Sequence, residues 1–196
     1  MKIVYRKPFV EPLTTKEDIE RDLQILWTVH RLSYGKFSEP ASPKEILEFI
    51  EKHVWRRDPP HEIFLEMVDF SVVIYASKQC LTQLRTHRLM THYQQSTRRK
   101  KFSSDGEIEL IHPKYTEKKK GEFPTELEIP ALSFVPQGIM LYGFAKANMR
   151  QWNHLLRLRL FDNSSSEIKE VCRQIVNFFI ENSLSGLLHP SLRKFG

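Results

Sequence analysis

The run Ile63–Ala76 (IFLEMVDFSVVIYA) is so rich in β-branched and aromatic side chains that it constrains the chain around it. Such residues fit a pleated, half-buried surface, so the run predicts a sheet element, although it is long for a strand and its period-2 alternation is imperfect. The flanking sequence reads as helices. Lys16–Val29 sets Ile19, Leu23, Leu26 and Trp27 at helical spacing, with Thr14 or Thr15 as a cap ahead of an acidic first turn. Ser42, followed by Pro43, Lys44 and Glu45, reads as an N-cap with proline at the first helical position. That second helix is expected to end near Arg56, before Asp58-Pro59-Pro60.

Further along, Ser77–Met90 has helical spacing through Cys80, Leu81, Leu84 and Leu89, and Gly138–Leu160 carries apolar residues at the same spacing. Glu167–Leu184 repeats the pattern with Ile168, Val171, Cys172, Ile175, Val176 and Phe179. The polar turn Asp162–Ser166 joins these last two predicted helices. Glu107–Ile111 predicts a short strand, and Lys114–Gly121 an exposed, lysine-rich loop.

A chain of 196 residues with 40% hydrophobic side chains buries one sizeable core, and no repeat or linker divides it. One domain spanning 1–196 is the expectation. No apolar run approaches the roughly 20 residues of a membrane helix, and Met1–Pro12 carries Lys2, Arg6, Lys7 and Glu11 in place of a signal-peptide core. A soluble, cytoplasmic protein is expected. Cys80 and Cys172 lie far apart without Cys-x-x-Cys spacing, so both read as buried small apolar residues. His92 follows His87 by five residues, which is not a same-face helical spacing, so no metal site is expected.

The net charge of +6 is unevenly placed. Phe70–Ser104 contains no acid but carries Lys78, Arg85, Arg88, Arg98, Arg99, Lys100 and Lys101. Such a block attracts either nucleic acid or the phosphates of a nucleotide, and charge alone does not separate them. Nucleic acid is the poorer match, because Tyr75, Tyr93 and Phe102 are too sparse among the arginines to form a stacking platform.

Within that block the segment Gln83–Arg98 (QLRTHRLMTHYQQSTR) places His87-Arg88 seven residues before Ser96, with Arg98 two further on. Ahead of it stand Arg31, Ser33 and Tyr34, and then His61-Glu62 with Phe64 and Glu66. After it come Asn148-Met149-Arg150 and His154-Leu155-Leu156-Arg157-Leu158-Arg159. In this order the blocks resemble the flavin-dependent thymidylate synthase family, whose signature is Arg-His-Arg, seven residues, Ser. The resemblance runs over roughly residues 30 to 180.

What the resemblance implies is specific. The fold would be α+β, a single mixed α/β domain with a central antiparallel sheet flanked by long helices. The reaction would convert dUMP to dTMP, with methylenetetrahydrofolate as carbon donor and NADPH-reduced FAD as hydride source. FAD would be held by His61, His87, Arg88, Gln94, Asn148, Arg150 and His154. The nucleotide would be lined by Gln83, Gln94, Ser96, Arg98 and Arg159. Arg159 would be the catalytic residue, polarising the pyrimidine, and the guanidinium suits that role because it is always charged. Ser96 is expected to hydrogen-bond rather than act as a nucleophile, since no His/Asp relay accompanies it in sequence.

Read as one helix, Gly138–Leu160 points Asn148 and Arg159 one way and Arg150 and His154 another. Sites shared between the subunits of a homotetramer, as the family implies, would reconcile the two directions. An arginine among leucines (LLRLRL) is costly to bury unpaired, so it either snorkels to water or meets an anionic or carbonyl-rich partner.

The sequence also departs from the family pattern. Thr86 replaces an arginine, Gln94 a glutamate and Leu132 a phosphate-binding arginine, while Asn163-Ser164-Ser165-Ser166-Glu167 replaces His-Ala-Gln-x-Glu. Each lost arginine removes charge-assisted bonds of about 1.5–3 kcal/mol, or roughly 10- to 150-fold in affinity. The alternative expectation is therefore a divergent paralogue that binds flavin or a pyrimidine nucleotide without the synthase reaction.

Overall fold

The computed structural model describes residues 2–36, 39–97, 107–115, 137–161 and 164–196. Its strands are β1 (Lys2–Arg6), β2 (Phe9–Pro12), β3 (Asp69–Ser77), β4 (Thr91–Gln94), β5 (Glu107–Ile111) and β6 (Met140–Asn148). Its helices are α1 (Lys16–Leu32), α2 (Pro43–Ile50), α3 (Lys78–Leu84), α4 (Met149–Phe161) and α5 (Ser166–Glu181). The central sheet is antiparallel with strand order β2-β3-β6-β4, and β1 pairs in parallel with β5 beside it. The antiparallel sheet and flanking helices expected for the chain are thus present.

The helix starts follow from capping. Thr15 and Ser42 each accept a hydrogen bond from the residue three ahead, and the Asp18 and Glu45 carboxylates accept in turn from the two cap residues' backbone N–H groups. Both capping boxes satisfy orphan donors of the first turn. The second helix ends where expected, its last part wound as a π-helical turn over Glu51–Trp55.

Three predicted elements divide differently. Ile63–Ala76 is split: Glu62–Met67 forms a 3-10 helix and only Asp69–Ser77 is strand. The predicted helix Ser77–Met90 stops at Leu84, and the chain turns and enters β4. The predicted helix Gly138–Leu160 is strand to Asn148 and helix from Met149. In β6 the residues paired with β3's buried face are Leu141, Gly143, Ala145 and Ala147, and the last three are small residues with little strand preference. A nine-residue ladder with β3 overrides that weak local signal. Strands β1, β2 and β4 have no counterpart in the sequence reading.

One face of the sheet is covered. Phe70, Val72, Ile74 and Ala76 of β3 are buried there. The Trp152 indole of α4 donates to the Phe70 carbonyl at 2.9 Å, and the Phe178 and Phe179 rings of α5 lie 5.2 and 4.8 Å from the Phe70 ring. Gly143 is a close-approach position: a Cβ there would sit 2.6 Å from Leu81 Cδ2, so its absence lets α3 lie low on β6. The opposite face is partly open and aromatic, with Phe9, Tyr93 and Tyr142 exposed.

The corner where β3 becomes α3 is fixed from α5. Ser77 Oγ accepts from the Cys80 N–H, capping α3, and donates to Glu167 Oε2 at 2.6 Å. The Ser77 backbone N–H donates to Glu167 Oε1 at 2.7 Å. Burial raises the Glu167 carboxyl pKa against the opposing pull of these bonds. Cys80 and Cys172 are free and buried, as the sequence suggested. No helix among the described residues is long and apolar enough to cross a membrane.

The corner gives a direct test. Glu167→Ala leaves two buried Ser77 donors unmet and is expected to cost about 3 kcal/mol in urea unfolding. Glu167→Gln, whose amide oxygen still accepts, should cost clearly less. Equal losses would mean that these bonds do not hold the corner.

Candidate functional site

Arg159 lies in the last turn of α4, on the side that meets α3. Its Nη2 donates to the Gln83 backbone carbonyl at 3.1 Å and to Thr86 Oγ1 at 3.0 Å. Gln83 belongs to the last turn of α3, where unsatisfied carbonyls and the negative dipole end favour a cation. The arginine among leucines has therefore met a carbonyl-rich partner. Its Nε is buried and has no hydrogen-bond partner among the described residues.

The turn after α3 wraps beside α4. His87 faces His154 with ring centroids 6.1 Å apart. Burial, then the positive charge of Arg159, depresses the His87 pKa to about 4, so the ring is neutral. The His87 backbone carbonyl accepts a bond from the His92 imidazole, whose pKa is also lowered by burial. A cavity of about 230 Å³ opens here, lined by Thr86, His87, Arg88, Leu89, Gln151 and His154.

Among the described residues, buried polar atoms without partners occur here on Gln83 Oε1, His87 Nε2, His92 Nε2, Gln94 Oε1 and Arg159 Nε, and elsewhere on His30, Arg31, Ser164, Asn177 and Arg193. Native interiors leave few such atoms unmet, and those beside the cavity could be completed by a ligand. They alternate in character: amide oxygens accept, the guanidinium donates, and a neutral imidazole nitrogen can do either. That mixture suits the edge of a polar heterocycle better than a phosphate, which asks only for donors.

The remaining predicted residues sit along α4. Asn148 ends β6 and accepts the Gln151 N–H at 3.1 Å, so it caps α4 and does not share a helical face with Arg159. Arg150 and His154 do share a face, one turn apart. Arg150 is ion-paired with Glu66 and lies 3.9 Å from Glu62, both on the 3-10 turn that His61 precedes. His61 packs its ring 5.4 Å from Phe64. Gln94 pairs with Gly143 at the sheet edge, and Ser96 follows just beyond β4. Arg98 and Leu132 lie outside the described residues.

The turn at residues 85–90 reaches both Arg159 and His154. Thr86 and His92 lie beside these residues and were not assigned to the site from sequence: Thr86 reads there as a lost arginine, and His92 only as a rejected metal partner of His87. Among the described residues no group of three or more His, Cys, Asp or Glu is placed to hold a metal.

A larger cavity, about 550 Å³, lies elsewhere, between the starts of α1 and α2 and the turn after α5. Its charged rim is largely self-compensated, Lys16 with Glu20 and Glu51 with Arg193, and it contains none of the predicted residues.

Comparison with known proteins bears on this site. The sequence model of a family described as thymidylate synthase complementing protein matches residues 16–182. Among solved structures, the chain is similar to the UMP/dUMP methylase PolB from Streptomyces cacaoi bound with 5-Br dUMP. The TM-score is 0.66 at 14% identity, covering 97% of this chain and 100% of that one. The same methylase bound with 5-Br UMP matches with a TM-score of 0.65 at 13% identity, covering 100% of this chain and 97% of that one. No curated protein sequence matches.

The neutral His87 predicts a pH effect. Its folded pKa of about 4 lies below the ordinary 6.5, so the unfolded chain binds the extra proton between those values. The stability associated with His87 is present above about pH 6.5 and is lost as pH falls towards about 4. His87→Gln should therefore lose less stability than wild type between pH 7 and pH 4.5 in urea titrations. Parallel pH profiles would rule out a depressed His87.

Proposed function

The chain belongs to the thymidylate synthase complementing protein family, and on that premise we propose that it methylates carbon 5 of dUMP to give dTMP. The observation that carries the reading is the group of unmet polar atoms on Gln83, Gln94 and Arg159. A uracil ring presents carbonyl, N–H and carbonyl along one edge: the Arg159 Nε–H can donate to one carbonyl, one of the two amide oxygens can accept the ring N–H, and the other glutamine would donate to the second carbonyl through its amide NH2. The methylase structures of the same fold hold bromo-substituted uridine nucleotides, which agrees with a pyrimidine ligand.

In this reading Arg159 does the electrostatic work. Carbon 5 becomes nucleophilic when negative charge can be drawn onto the ring oxygen and nitrogen, and a fixed cation at that edge lowers the energy of the charge as it develops. Arg159 is held by Gln83 and Thr86 before any ligand arrives, so little reorganisation is needed. Carbon 5 then bonds the methylene carbon of methylenetetrahydrofolate, the bonds from that carbon to the folate nitrogens break so that tetrahydrofolate leaves, and the carbon 5 hydrogen leaves as a proton. Arg98 and Ser96 are assigned to the nucleotide by the family pattern.

FAD is proposed as the cofactor, with NADPH as its reductant, and when bound it supplies the hydride that completes the methyl group. The residues present fit part of such a group. His87 Nε2 is an unmet atom, and His87, Arg88 and His154 border the cavity. The cavity of about 230 Å³ is smaller than the ~300–1,000 Å³ typical of an enclosing pocket, so one chain offers only a portion of the contacts. That shortfall, with the exposed Phe9, Tyr93 and Tyr142 on the uncovered sheet face, supports a homotetramer with shared sites.

A second reading is favoured by one observation. Arg150, expected to hold FAD, is already neutralised by Glu66 with Glu62 nearby. A relative that binds the nucleotide without methylating it would show this loss of cofactor affinity. Both readings place the protein in solution, in the cytoplasm.

Labelled dUMP decides between them. With methylenetetrahydrofolate, FAD and NADPH, the wild-type protein should release the carbon 5 hydrogen to solvent, and Arg159→Ala should cut the rate by about 100-fold or more. Light scattering should give a tetramer. Protein shown to hold FAD that releases no hydrogen at any dUMP concentration would falsify the synthase reading.

A further inference from the structure

Thr86 occupies the position at which the family signature carries arginine, and in sequence it reads as a deletion of charge. Its actual surroundings are different. The Thr86 hydroxyl donates to the Gln83 carbonyl at 2.7 Å and accepts from Arg159 Nη2 at 3.0 Å. The same Nη2 donates to the Gln83 carbonyl at 3.1 Å. The three groups form a closed ring across residues 73 apart in sequence.

Only a hydroxyl can donate and accept at one atom in this way. Donation to a carbonyl at the negative end of α3 polarises the hydroxyl and strengthens it as an acceptor for a cation. With one nitrogen held by two acceptors, the guanidinium plane is fixed, and the buried Nε–H is left as a directed donor.

We propose that Thr86 is a positioning residue: its hydroxyl brackets Arg159 against the Gln83 carbonyl and sets the direction in which the arginine meets the pyrimidine. This rests on the functional reading above and deepens it. The exchange of arginine for threonine is then a change of task. An arginine at this position would remove the acceptor and bring a second guanidinium beside the first.

Thr86→Val keeps the shape of the side chain and removes both bonds, whereas Thr86→Ser keeps both. Hydrogen release from carbon 5 of labelled dUMP should show kcat falling about 10-fold in the valine variant, with a smaller change in KM, since orientation counts most in the transition state. Serine should recover most of that loss. Thr86→Arg should also lower kcat. An independent readout is the ¹⁵N–¹H signal of Arg159 Nε in nucleotide-free protein, assigned by its loss in Arg159→Lys. Its exchange with water should be slow in wild type and Thr86→Ser and faster in Thr86→Val. The bracket is overturned if serine and valine behave alike in both measurements, or if Thr86→Arg exceeds wild type in kcat. A wild-type protein that neither binds dUMP nor releases the hydrogen overturns instead the functional reading, while the Nε–H signal still decides the bracket.

Discussion

The register of the β3–β6 ladder is the constraint from which the rest of the molecule follows. The two strands pair from Asp69↔Asn148 to Ser77↔Met140 and run in opposite directions, so each passes into a helix at opposite ends of the pair. The ladder is about 26 Å long. α4 follows β6 and α3 follows β3, and the Arg159 side chain joins the far end of one to the last turn of the other. A slip of one residue would turn every side chain to the other face and shift the two helix starts by about 3 Å.

Two helix ends therefore supply the site's electrostatics. The carbonyl end of α3 attracts the guanidinium of Arg159, and Ser77 fixes where α3 begins through a carboxylate donated by α5. Glu167 touches none of the polar atoms left open for a ligand, yet it determines where they stand. Residues of this kind separate packing from chemistry poorly. A change at position 167 would move Gln83 and Thr86 without removing a single group from the site.

The legible parts of the sequence were those with local signals. Capping boxes at Thr15 and Ser42 marked two helices, and apolar spacing from Ile168 to Phe179 marked α5. The motif blocks around His87, Asn148 and Arg159 indicated the family and hence the antiparallel sheet. What local pattern could not carry was decided by distant contacts. β6 is built of glycine, alanine and methionine among larger residues and becomes a strand because β3 is beside it. β4 is short and polar and exists only as its edge partner. The bond from Thr86 to Arg159 joins segments that share no periodicity, so the sequence displayed a missing arginine where the fold contains a hydrogen-bonded ring.

The two cysteines lie near the same corner, Cys80 on α3 and Cys172 on α5. Burial pushes the Cys172 thiol up to about 12 and the Cys80 thiol well above its ordinary range, so neither forms an appreciable thiolate while the protein is folded. A thiol reagent can act on them only when α3 and α5 part company. The speed of that chemical labelling is thus a clock for how often the junction opens, and a ligand that tightened the junction would slow the clock without touching either sulfur.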